Sequence, residues 1–161
     1  MSTADDALTL FLPSPADTEA LGRALARFLG PGDVLALIGP LGSGKSTLVR
    51  GLLAAFGLAS SAASPTFGIM RVYEGPLRLV HADAWRLRDE DEFADAGCCE
   101  EMRPDTLFVV EWADKVASWL PPDRLEIRLD HSGGGRSAVL RPFGAFRARF
   151  AALARALSPS A

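Results

Sequence analysis

The chain has 161 residues, two cysteines, two histidines and a formal net charge of −3. That length suits a single domain spanning residues 1–161, and no apolar run approaches the roughly 20 residues a membrane span needs. The start, Met1-Ser-Thr-Ala-Asp-Asp6, lacks the basic segment and apolar core of a signal peptide. Adjacent Cys98 and Cys99 suit neither a zinc knuckle nor a disulfide framework and read as reduced cytosolic thiols, while His81 and His131 are too far apart in sequence to suggest a protein-only zinc site.

In chain order, strands alternate with helices. Ala7–Leu12 reads as a first strand. Ser14-Pro-Ala-Asp17 carries a capping serine, proline at the first helical position and an acid three residues on, so it opens a helix. Leu21, Ala24, Leu25, Phe28 and Leu29 make its apolar face, and Gly30-Pro31-Gly32 ends it. Asp33–Gly39 reads as a buried strand and Ser46–Phe56 as a helix. Ala59–Pro65 is a small, polar link. Phe67–Tyr73 and Leu77–Asp83 are predicted to form an antiparallel hairpin about Glu74-Gly75-Pro76. Glu90–Ala96 is a short acidic helix, and Thr106–Glu111 is a buried strand ending on a carboxylate. Leu125–Asp130 and Ser137–Arg141 pair across the Gly133-Gly-Gly135 turn. Phe143, Phe146, Phe150, Leu153 and Leu157 stand at helical spacing and predict a last amphipathic helix whose aromatic stripe is core. The expected fold class is α/β: with the glycine-rich loop Gly39-Pro-Leu-Gly-Ser-Gly-Lys45-Ser46 between its second strand and second helix, a single P-loop NTPase domain with a mixed, mostly parallel sheet flanked by helices and an antiparallel hairpin extension.

Between the second strand and second helix lies Gly39-Pro-Leu-Gly-Ser-Gly-Lys45-Ser46-Thr47, which fits the phosphate-loop (Walker A) pattern G-x-x-x-x-G-K-[S/T] without mismatch. Gly39, Gly42 and Gly44 let backbone N–H groups turn around a phosphate chain, with Leu41 and Ser43 between them, and the helix presents its positive N-terminus to the same anion. Lys45 can bridge β- and γ-phosphates, and the Ser46 hydroxyl can ligate magnesium. A carboxylate at the end of a neighbouring strand would support the metal. Asp83 and Glu111 both qualify. Thr66, after Ser64-Pro65, could meet the metal or the γ-phosphate as switch threonines do. Trp112 is either core packing or a platform beside the nucleotide.

The chain has no asparagine and no glutamine. The guanine-reading N-K-x-D motif is therefore impossible, and so is a glutamine that orients attacking water. Charge is uneven: nine acids fall between Asp83 and Asp105, and no acid follows Asp130, where Arg136, Arg141, Arg147, Arg149 and Arg155 lie. These are either two docking faces or two solvated surfaces. The basic tail lacks the interleaved aromatics of a single-strand nucleic-acid binder.

Four linked motifs make the chain resemble the bacterial TsaE (YjeE) family, the tRNA threonylcarbamoyladenosine biosynthesis ATPases. Gly39–Leu48 resembles G-D-L-G-A-G-K-T-T-[LF], Ser64-Pro-Thr-Phe67 resembles S-P-T-[FY], His81–Leu87 resembles H-F-D-L-Y-R-L, and Val110-Glu-Trp112 resembles [IV]-E-W. The chain departs at Pro40, Ser43, Ala82 and Ala84-Trp85, and Ala82 with Trp85 suggests repacking under the strand. The resemblance implies ATP and Mg2+ as ligands and an ATPase, slow when alone, that supports threonylcarbamoyl transfer to adenosine 37 of tRNA. It implies the TsaD–TsaB heterodimer as partner, tRNA only through that complex, and a cytoplasmic location without membrane. By matching positions, Lys45 would hold the phosphates, Thr47 the α-phosphate, and Ser46 and Glu111 the metal. Asp83 and Thr66 would complete the site beside Trp112, and Ser14–Thr18 would lie near the adenine. Arg86 is the best internal candidate for an arginine finger. Rival readings are a small-molecule kinase using the same loop and a non-catalytic, nucleotide-gated adaptor.

Overall fold

A computed structural model describes residues 6–58, 64–66 and 68–158. Its core is an eight-stranded sheet in the order β1-β8-β7-β2-β6-β5-β4-β3. The strands are β1 Leu8–Leu12, β2 Val34–Ile38, β3 Ser64–Thr66, β4 Met70–Tyr73, β5 Arg78–Asp83, β6 Thr106–Glu111, β7 Arg124–Ser132 and β8 Gly135–Phe143. β7, β2, β6 and β5 are parallel neighbours, and antiparallel pairs extend both edges, so β4 and β8 run against the other six. The helices are α1 Pro15–Leu25, α2 Lys45–Ala55, α3 Glu90–Asp95 and α4 Arg147–Leu157.

The central strands are buried on both faces, which is why β2 and β6 read as unbroken apolar runs rather than alternating ones. Leu35, Leu37, Leu107 and Val109 point to the side covered by α1, α2 and α4. Val34, Ala36, Phe108 and Val110 point to the side covered by α3 and the 3-10 segment Ala113–Trp119. Strand β7, paired between β2 and β8, alternates instead. Leu125, Ile127 and Leu129 are fully buried, whereas Arg128 is exposed.

The start of α1 is the capping box expected from its sequence. The Ser14 and Asp17 side chains exchange bonds with each other's backbone N–H, at 3.4 and 3.0 Å. α1 then lies against α2 at backbone contact, because glycines face each other's helix. A Cβ at Gly22 would collide with the Leu48 carbonyl, and one at Gly51 with the Glu19 carbonyl. This seats the start of α1 beside the phosphate loop.

Several boundaries differ from the sequence reading, and α1, expected to run on to Gly30, ends at Leu25. The strand expected over 67–73 is shorter, Met70–Tyr73, and Ser64–Thr66 forms a separate strand antiparallel to it. Between them Gly68 takes φ +80°, a turn conformation that interrupts the ladder. Phe143 closes β8 instead of opening the last helix. It faces Arg124 across the hairpin, with the guanidinium 4.2 Å from its ring. Phe146, Phe150 and Leu153 are core as expected. The link residues 59–63 lie outside the described residues. No described helix is long and apolar enough to cross a membrane.

The close helix contact sets a stability test. Gly22→Ala is expected to destabilise the chain by about 1–3 kcal/mol in urea unfolding, as overpacked cores do. Gly30→Ala, where a Cβ meets nothing within 4 Å, is expected to change it little. Equal effects at both positions would contradict the contact.

Candidate functional site

At the carboxyl ends of β2, β5 and β6, parallel register gathers the chemistry. Asp83 pairs with Glu111, and Glu111 with Leu37, one residue short of the end of β2. From there the chain turns through residues 39–44 into α2, whose N-cap is Gly44. Gly42 and Gly44 take φ +76° and +104°, as a phosphate loop requires. Gly39 is needed for space: a Cβ there would strike the Leu129 carbonyl on β7.

Lys45 is only 4 % exposed. Its ammonium donates to the Gly39 carbonyl at 2.6 Å, the Pro40 carbonyl at 2.9 Å and Ser43 Oγ at 3.3 Å. It also sits 4.1 Å from the centre of the Trp112 ring. Burial pushes its pKa down, and the charges of Glu111, Asp114 and Asp83 oppose that shift. The charges of three carboxylates thus act on one ammonium.

Glu111 is 3 % exposed and spans the site. The Ser46 hydroxyl donates to it at 3.0 Å, and His81 Nε2 lies 2.6 Å from its other oxygen. Burial pushes this carboxyl up. The His81 hydrogen bond and charge, the Ser46 bond and the Lys45 charge outweigh it and hold the pKa below its ordinary 4.5. Asp83 is exposed beside it and accepts from the Trp85 N–H at 3.0 Å.

A cavity of about 460 Å³ opens over these groups. One wall is the start of α1, with Ser14 and Thr18. The floor is the loop and α2, with Leu41, Gly42, Gly44 and Lys45 to Thr47. Asp83, Glu111, Trp85 and Trp112 close a second side, and the β7–β8 turn closes a third through Arg136. Gly39 and Ser43 lie beneath the loop and do not line the cavity, although Ser43 supports Lys45.

Both tryptophans belong to this surface. Trp112 is the single described non-glycine residue with positive φ, at +58°. A bulky residue there stores roughly 1–3 kcal/mol of strain. The turn brings its ring against Lys45 and within 4.4 Å of the Trp85 ring centre, while its partly buried side also packs against the core. Trp85 is 46 % exposed, so it is not packed under the strand as its neighbour Ala82, fully buried, is. Arg86 is exposed and does not line the cavity; Arg136 does. Thr66 pairs with Met70 at the end of β3, and its side chain lies outside the described residues.

His81 was missed as a site residue because a histidine within a strand carries no motif of its own. The available signal was its parity with Asp83, which puts both on one face of β5. Cys98 and Cys99 are free, and burial above all, then Cys99, Glu100 and Glu101, pushes the Cys98 thiol up to about 12, so it is inert.

The donor set suits a hard cation. A serine hydroxyl and a carboxylate oxygen meet at 3.0 Å, which fits a magnesium ion completing its shell with phosphate oxygens and water. No group of three or more His, Cys, Asp or Glu among the described residues would hold a metal without such help.

Residues 12–138 match the family model described as "Threonylcarbamoyl adenosine biosynthesis protein TsaE". The chain belongs to the TsaE family. It is 39 % identical over 121 residues to the tRNA threonylcarbamoyladenosine biosynthesis protein TsaE of Bacillus subtilis, covering 74 % of this chain and 75 % of that one. It is 41 % identical over 126 residues to the protein of the same name from Streptomyces coelicolor, covering 75 % and 84 %. A crystal structure of Bacillus subtilis YdiB superposes with a TM-score of 0.73 at 30 % identity, over 92 % of this chain and 95 % of that one. TsaE membership ties the protein to tRNA threonylcarbamoyladenosine biosynthesis.

The Glu111 geometry sets an acid test. A carboxyl whose pKa is lowered by folding stabilises the fold fully above its unfolded value near 4.5, and that contribution fades as pH falls through the lower folded value. Glu111→Gln is therefore expected to lower stability by about 1–3 kcal/mol at neutral pH. The gap to wild type should stay level down to pH 5 and narrow below it, read as melting temperature against pH. A gap that widens on acidification would contradict the assignment.

Proposed function

We propose that this chain is a magnesium-dependent ATPase of threonylcarbamoyladenosine formation. In this reading it acts as one P-loop domain in the cytoplasm, with a TsaD–TsaB heterodimer as partner and tRNA reached through that complex. The observation that carries the reading is the Lys45 ammonium, bound by the loop's own carbonyls beside the Ser46–Glu111 pair and beneath an open cavity. A triphosphate offers that ammonium better oxygens than the loop does.

The roles follow from chemistry. Lys45 would exchange its carbonyl partners for β- and γ-phosphate oxygens, and the loop amides would hold the chain from below. Magnesium, when bound, would supply positive charge against the charge that develops on the phosphates. Ser46 and Glu111 would hold that ion, with His81 fixing the carboxylate. Asp83, exposed and adjacent, would order water near the γ-phosphate, and Thr66 would close the site from β3. Thr47 would contact the α-phosphate, Ser14 and Thr18 would flank the nucleoside, and Trp112 would wall the phosphates off from solvent. Water attacking in line would be the acceptor. A kinase is disfavoured because, among the described residues, Lys45 and Arg136 are the only cations on the cavity wall, and both already engage the loop.

Phosphate release measured with and without purified TsaD–TsaB tests the reading. Slow turnover alone and faster turnover with the heterodimer are expected, with free phosphate and no phosphorylated acceptor as product. Lys45→Ala should weaken ATP binding about 10- to 100-fold, the worth of charge-assisted hydrogen bonds. Unchanged turnover with partners, or wild-type ATP affinity in Lys45→Ala, would overturn it.

A further inference from the structure

Arg136 has no place in the motifs that mark this chain, yet it reaches across from β8 to the phosphate loop. Its Nε and Nη2 both donate to the Gly42 carbonyl, at 3.2 and 3.0 Å, and Nη1 donates to its own strand at the Gly135 carbonyl, 2.9 Å. On the adjacent strand, His131 Nε2 stands 3.4 Å from the Leu41 carbonyl. Thus the carbonyls of residues 39 to 42 are each committed. Lys45 holds the first two, and the β7–β8 hairpin holds the next two.

The division matters when an anion arrives. A loop cradles phosphate only while its N–H groups, and not its carbonyls, face the ligand. If Lys45 leaves Gly39 and Pro40 for phosphate oxygens, the loop keeps one internal backbone bond, from the Ser43 N–H to the Pro40 carbonyl at 3.2 Å, and loses the two that the ammonium supplied. The hairpin's hold is independent of that exchange and remains. Arg136 also lines the nucleotide cavity, the one arginine to do so among the described residues.

We propose that Arg136 is a positioning residue for polyphosphate binding. It pins the Gly42 peptide from outside the loop, so that the loop stays open to phosphate when Lys45 is drawn onto the ligand. The proposal rests on the nucleotide reading above. Its partner is the phosphate chain itself, so the base and ribose are not needed for the effect.

The test compares affinities for ATP and for inorganic tripolyphosphate by calorimetry. Arg136→Ala is expected to weaken both by the same factor, tenfold or more, as the loss of a charged hydrogen-bond pair implies. Its melting temperature should stay close to wild type, because the contact is exposed. Arg136→Lys keeps the charge but not the two-nitrogen grip, and should weaken both ligands by a smaller factor. Arg141→Ala, an exposed arginine farther along β8, should leave both affinities unchanged. A folded Arg136→Ala or Arg136→Lys that binds ATP as wild type does would overturn the proposal and leave the nucleotide reading intact. A loss confined to ATP would assign Arg136 to the nucleoside and overturn it equally. Wild-type chain that takes up neither ligand would end both readings.

Discussion

A buried ammonium must find oxygen atoms or give up its proton, and Lys45 finds them in the loop that precedes it. Two carbonyls and a hydroxyl surround Nζ, and the Trp112 ring covers it. Three carboxylates lie within electrostatic reach, Glu111, Asp114 and Asp83. The local balance is therefore negative around one cation. An added triphosphate would worsen it, and a divalent ion carried on that triphosphate would offset part of the added charge. The same arrangement that keeps Lys45 charged thus favours a metal-bound nucleotide over a bare one.

The sheet supplies the frame. Parallel pairing of β5, β6 and β2 places Asp83, Glu111 and the start of the loop at neighbouring strand ends, where ligands of open α/β sheets bind. Helix α1 lies against α2 at the distance glycine permits, and this carries Ser14 and Thr18 to the cavity wall. The β7–β8 hairpin, next to β2 on the side away from β6, grips the loop at Leu41 and Gly42. Three separate parts of the chain therefore converge on six loop residues. Trp112 is forced into the left-handed region immediately after Glu111. Strain at that point is consistent with a ring held where packing alone would not put it.

Much of this was legible in the sequence because the devices are local. A phosphate loop declares itself by glycine spacing, α1 by its serine–proline–acid start, and the central strands by unbroken apolar runs. Strand-end acids announced Asp83 and Glu111. What stayed hidden depends on register between distant segments. The His81–Glu111 contact joins two strands, and the Arg136 latch joins residues 94 apart. Trp85 looked like core because tryptophan is apolar, but a stacked partner at Trp112 lets it remain half exposed. Phe143 fell at helical spacing by coincidence. Its partner is Arg124 on the adjacent strand, a contact no single-segment periodicity can reveal.

The central claim is that the Gly39 and Pro40 carbonyls stand in for phosphate oxygens at Lys45. A crystal structure of the chain with magnesium and a non-hydrolysable ATP analogue tests it most directly. The account predicts that Nζ has left both carbonyls for the phosphate chain, with the metal beside Ser46 and Glu111. An analogue bound elsewhere, or bound in the cavity with Lys45 still on Gly39 and Pro40, would contradict it.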